Sequence, residues 1–113
     1  MDITVKDLER YLCHVYGSWA GEQSLFMKLV EEIGEVAEIL NKRSGRKRPD
    51  EGDMTDKLAN ELADVIHYAA AIAAINEIDL TQTILAKDRK ASIKYNRDLN
   101  LETFLTQKNG SVE

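Results

Sequence analysis

Apolar residues recur along the chain with the 3.6-residue period of amphipathic helices, and no segment alternates polar and apolar residues for long enough to make a strand. Four helices are expected. The first covers about residues 4–16, with Thr4 as N-cap, Asp7 as its capping-box partner and Val5, Leu8, Leu12 and Val15 on the apolar side. The second covers about 24–43 and carries Leu25, Phe26, Leu29, Val30, Ile33, Val36, Ala37 and Leu40 on one core-facing stripe. The third, about 55–77, opens at Thr55 with Asp56 in its first turn. The fourth, about 79–97, opens at Asp79 with Gln82 at the capping-box position. Pro49, the only proline, lies in the strong break from Ser44 to Asp53. A short helical turn is expected around Leu101 to Leu105, and a loose tail over 108–113. The pattern predicts an all-α, four-helix-bundle-like protomer with a single domain over residues 1–107.

The third helix is apolar nearly all round, which calls for burial on more than one side. A chain of 113 residues has little surface with which to cover it. The expectation is therefore a protomer completed by its own copies, as a homodimer or homotetramer.

Composition narrows the function class. Lys and Arg number 15 against 20 Asp and Glu, a net charge of −5, which argues against duplex nucleic acid as a partner. The single Cys13 excludes an internal disulfide framework and suits a reducing compartment. Residues Met1 to Lys6 show no secretory pattern. The longest apolar run, Leu62 to Ile75, contains Asp64 and His67 and falls short of the ~20 residues of a membrane span. No membrane and a cytoplasmic location are expected.

The acidic residues carry the candidate chemistry. Glu31, Glu32, Glu35 and Glu38 crowd the second helix, a pattern that a solvated face would also produce. Glu61 and Asp64 are harder to explain that way. They share one side of the most apolar helix, and an unpaired carboxylate there costs several kcal/mol to desolvate. If the second and third helices pack antiparallel, their rise of ~1.5 Å per residue brings Glu32 and Glu35 level with Glu61 and Asp64 to within about one turn. Four converging carboxylates repel one another and take up protons unless a cation joins them. Mg²⁺ suits such an all-oxygen set, with Mn²⁺ able to substitute. A di-iron bundle would instead want Glu-x-x-His from two helices. Here Asp64-x-x-His67 is the nearest match and the second helix has no histidine, so His67 reads as a core or interface residue.

Glu31-Glu32-x-x-Glu35, followed after 25 residues by Glu61-x-x-Asp64, resembles the signature of the MazG-like all-α nucleoside triphosphate pyrophosphohydrolases. The surroundings are similar too: Lys28-Leu29-Val30, Gly34, Ala37-Glu38, the run Leu62 to Tyr68, and Ile78-Asp79-Leu80. The resemblance extends over roughly residues 24–87. It implies Mg²⁺-dependent hydrolysis of a (d)NTP to the monophosphate and pyrophosphate, with in-line attack of water, expected at the α-phosphorus. It implies metal ligation by Glu32, Glu35, Glu61 and Asp64, and a catalytic place for Glu31, positioning the attacking water or serving a further ion. Lys28, Lys87 and Lys94 become candidate phosphate contacts, and Asn96 a further one, because the position where relatives often carry Asn is Ala91. Trp19 and Tyr68 become candidates for the base side of the pocket. Core packing of Trp19, and a snorkelling surface face for the basic stripe of Lys87, Lys90, Lys94 and Arg97, remain the plain alternatives. The competing reading of the whole chain is a non-catalytic helical dimerisation module with a structural cation site.

Overall fold

A computed structural model describes residues 1–17, 21–45 and 54–112, with side chains described as far as Gln107. Trp19 and the basic loop residues Arg46, Lys47 and Arg48 lie outside the described residues. Among the described residues five helices are present: α1 (Val5–Tyr16), α2 (Glu22–Arg43), α3 (Thr55–Ile75), α4 (Leu80–Lys94) and α5 (Leu101–Val112). No strand occurs among the described residues. The chain divides into two compact units, Met1–Ile78 and Asp79–Glu113.

In the first unit α1 begins with the expected capping box. Thr4 Oγ1 accepts the Asp7 amide at 3.0 Å, and Asp7 returns the bond to the Thr4 amide at 3.1 Å. Donation from the Thr4 amide first, and from the Thr4 hydroxyl after it, holds the Asp7 carboxyl below its ordinary pKa. Helix α3 packs against both α1 and α2. Asn76, just past the end of α3, donates to Glu22 at the start of α2 at 2.7 Å, so these two helices run antiparallel.

The core joins Leu12, Leu25, Ala70, Ala71 and Ala74, with Leu8, Tyr16, Tyr68, Ile72 and Ile75 packed around them. Alanines on α3 let the helices approach closely but bury little area each. The apolar stripe of α2 is wider than what its neighbours cover. Leu25 and Ile39 are buried and Leu29 and Val36 half-buried, while Phe26, Val30, Ile33 and Leu40 face solvent. Helix α3 likewise buries one side and leaves Leu62 and Ile66 exposed.

Helix α3 ends at Ile75, two residues before the expected boundary. Glu77 adopts a left-handed φ of 56°, and the Ile78 amide bonds the Ala73 carbonyl at 3.0 Å, which turns the chain away from the helix.

In the second unit Asp79 caps α4 through the Gln82 amide at 3.1 Å. The helix stops at Lys94 rather than near Arg97, because Asn96 has φ 53° and the Arg97 amide reaches back to the Ser92 carbonyl at 2.8 Å. The single turn expected at Leu101 is a full helix reaching Val112, through the segment expected to be a loose tail. Asn100 and Thr103 exchange side-chain-to-amide bonds at 2.8 and 3.1 Å, an N-terminal cap that the apolar period does not signal. Asp88 also accepts the Leu101 amide at 2.6 Å, and Arg89 pairs with Glu102 at 2.6 Å.

Candidate metal centre and polyphosphate groove

On α2 the residues Glu32, Glu35, Ile39 and Lys42 follow one another at spacings of three and four, as do Lys57, Glu61, Asp64 and Tyr68 on α3. Residues so spaced share a helix face. Antiparallel packing sets the two rows against each other, acidic positions level with acidic and Lys42 toward Lys57.

Glu32, Glu61 and Asp64 each offer a carboxylate oxygen such that all three lie within 4.8 Å of one another. Glu32 and Glu61 are half-buried and Asp64 is exposed, so the cluster opens to solvent on one side. Oε2 of Glu61 is buried without a hydrogen-bond partner. A proton on Glu61 would be shared first with Glu32 and then with Glu35. Burial and the charges of Glu35 and Glu32 add to this, and the Glu61 pKa is pushed up to about 7. Glu35 lines the same groove as Glu61, outside the three-oxygen set. An orphaned buried oxygen in an all-carboxylate set fits a hard divalent cation, whose charge would relieve both the repulsion and the missing partner.

Glu31 stands apart from the three ligand oxygens. Its carboxylate pairs with Lys28 at 3.4 Å, both side chains more than half exposed. Both also line a cleft of about 610 Å³ with Gln23, Ser24, Phe26 and Met27, which meets the acidic block only at Glu31. Tyr68 packs against the core and edge-on to His67, with ring centroids 5.0 Å apart. His67 itself accepts from or donates to Tyr16. Lys87, Lys94 and Asn96 belong to the second unit, where Lys94 Nζ lies 5.3 Å from the Tyr95 ring centroid and Asn96 terminates α4.

One set of residues escapes the periodicity reading. A groove of about 350 Å³ runs from Glu35 and Glu61 along Glu38, Ile39 and Asn60 to Lys42 and Lys57. A signal for it does exist in the sequence: Lys57 stands four residues before Glu61, hence one turn away on the same face.

Known proteins share this family and fold. Residues 20–96 match the MazG nucleotide pyrophosphohydrolase domain, a stretch that includes both acidic blocks and runs on through α4. The crystal structure of iMazG from Vibrio DAT 722 is similar at a TM-score of 0.63 and 29% identity, covering 84% of this chain and 100% of that one. No curated protein matches the chain. With the match spanning well over half its length, the chain belongs to the MazG nucleotide pyrophosphohydrolase family.

Proposed function

We propose that the protein hydrolyses a (d)NTP to the monophosphate and pyrophosphate with Mg²⁺, which Mn²⁺ can replace. The observation that carries this reading is the buried, partnerless Oε2 of Glu61 beside Glu32 and Asp64, at the acidic end of a groove that ends in two lysines. Glu32, Glu35, Glu61 and Asp64 would hold the metal. When bound, the ion offsets charge on the phosphate oxygens and lowers the pKa of water.

The chain's own residues do the rest. Phosphoryl transfer is catalysed mainly by positioning and by stabilising charge, and a groove with acidic and basic ends suits an elongated metal–polyphosphate. Lys42 and Lys57, with Asn60, would hold the outer phosphates that leave as pyrophosphate. Glu31, adjacent to Glu32 in sequence, would orient the attacking water. Lys28 would serve the phosphates from the α2 side, and Trp19 and Tyr68 the base side. Lys87, Lys94 and Asn96 are proposed phosphate contacts carried on the α4 unit.

Copies of the chain would associate through the exposed apolar rows of α2 and α3, as a homodimer or homotetramer. The Phe26, Val30, Ile33, Ala37 and Leu40 spacing repeats every three and four residues, the seam of helix-on-helix packing. Helix α3 has the length and mean hydropathy of a membrane span. Its carboxylates at positions 61 and 64 fit a water-facing metal cluster instead, and a soluble, cytoplasmic enzyme is the reading we favour.

The test is pyrophosphate release from a panel of NTPs and dNTPs with Mg²⁺. Release in the wild type that is lost in Glu35→Gln and Asp64→Asn supports the assignment. Equal release from all three proteins overturns the assignment of these carboxylates, and no release from any nucleotide overturns the activity in favour of a non-catalytic helical module.

A further inference from the structure

Metal ligands must be placed far more accurately than helices ordinarily need to be. A rotation of α3 by about 20° about its own axis moves a side-chain tip at ~5–6 Å from that axis by ~2 Å. Ligand distances tolerate only about 0.2 Å. The fully buried residues of α3 are Ala70, Ala71, Ala73 and Ala74, whose methyl groups resist such a rotation less than larger side chains would, and Tyr68, Ile72 and Ile75 pack around them only partly buried.

One directional contact lies beside the metal cluster. Tyr16, the last residue of α1, and His67 of α3 share a part-buried hydrogen bond, Oη to Nε2, at 2.9 Å. Their rings meet edge-on, with centroids 5.8 Å apart and planes at 82°. Tyr68, the next residue of α3, meets the imidazole edge-on at 5.0 Å and 78°. His67 lies three residues after Asp64 and six after Glu61, within two turns of both ligands. Burial above all, followed by Tyr68 and Tyr11, keeps the Tyr16 phenol above its ordinary pKa and therefore neutral. The hydrogen bond and the edge-on ring contact with Tyr16 tie α3 to α1 at one rotation, where small alanine side chains hold it less tightly.

We infer that Tyr16 and His67 are positioning residues for the metal centre: their hydrogen bond sets the axial rotation of α3 and with it the aim of Glu61 and Asp64 at α2. The inference rests on the metal-centre reading above, and the two can fail separately. The pair touches neither metal nor substrate, so its effect should appear in metal affinity before substrate affinity.

The test measures Mn²⁺ affinity of the full chain by electron paramagnetic resonance, alongside kcat, KM and the urea unfolding midpoint. Tyr16→Phe keeps the ring and loses the hydroxyl, and His67→Leu removes the ring nitrogen. Each is expected to weaken Mn²⁺ binding about tenfold, as loss of an outer-shell partner does, and to lower kcat with little change in KM. His67→Gln places an amide near the position of Nε2 and should restore most of that affinity. Ile72→Val, on the same core but outside the tether, supplies the stability control. Should Tyr16→Phe fail to fold, His67→Leu against His67→Gln makes the same comparison. Unchanged Mn²⁺ affinity in the tether variants, or an equal loss in Ile72→Val, overturns the inference alone. A wild-type chain that binds no Mn²⁺ overturns the metal-centre reading with it.

Discussion

Glu61 on α3 and Glu32 on α2 bring carboxylate oxygens to within 4.8 Å of each other, although 28 residues separate them in the chain. Glu32 at that distance raises the proton affinity of Glu61, and a third carboxylate from Asp64 completes a set that a proton or a cation can neutralise.

Neutralising one ligand should therefore separate stability from function. Glu61→Gln removes charge from the cluster, so the metal-free variant is expected to unfold at a higher denaturant concentration than the wild type at about pH 8. The same substitution, and Asp64→Asn, should weaken divalent-ion affinity by at least the ~10–100-fold that losing an outer-shell partner costs. Urea unfolding in EDTA and Mn²⁺ titration by electron paramagnetic resonance check the two halves.

The pH dependence has a definite sign. Between its ordinary 4.5 and about 7, Glu61 holds a proton in the folded chain that the unfolded chain has already released. Stability from this group is fully present below 4.5 and is lost as pH rises through about 7, so in EDTA the protein should weaken across that window. Divalent-ion affinity should rise over the same range, because the proton must leave before the oxygen can ligate. Unfolding midpoints measured in EDTA and in Mg²⁺ should diverge with increasing pH.

Lys57 distinguishes substrate binding from metal binding. Replacing it by Met leaves the carboxylates in place and removes a cation from the far end of the groove. A hydrogen bond to a charged partner is worth ~1.5–3 kcal/mol, which corresponds to a KM increase of roughly 10–100-fold. Mn²⁺ affinity in the absence of nucleotide should change little. Steady-state kinetics with a triphosphate substrate, run beside the metal titration, give both numbers.

The exposed apolar rows make an assembly prediction. Ile33 and Ile66 are more than half exposed on α2 and α3, and a charge at either position should be expelled from any helix-on-helix interface. Ile33→Glu or Ile66→Glu is expected to convert an oligomer to a monomer in sedimentation velocity. An oligomer of unchanged mass in both variants would place the interface elsewhere.

Glu77 offers a test of backbone strain away from the site. At φ 56° it occupies a conformation that costs a non-glycine residue ~1–2 kcal/mol. Glu77→Gly should raise stability by about 0.5–1 kcal/mol, the gain being reduced by the greater freedom of glycine in the unfolded chain. Chemical denaturation measures it directly.

Helix identity and the acidic spacing are legible in the amino-acid sequence. The Thr4–Asp7 box, the Asp79 cap and the period of α2 are local properties that a helix expresses wherever it packs. Glu61 and Asp64 stand out because carboxylates on an apolar helix need compensation. The end of α3 is less legible: a left-handed Glu77 carries no mark in the sequence, as a glycine would.

The class of structure and the two acidic blocks follow from the sequence alone, because helical period and charge spacing are properties of a single segment. Which oxygens meet, and that Lys42 and Lys57 end the same groove, emerge only when the helices pack. Those facts depend on the rotation of one helix against another, to which one-dimensional spacing is blind. The Tyr16–His67 bond, spanning 51 positions, is where that rotation is specified.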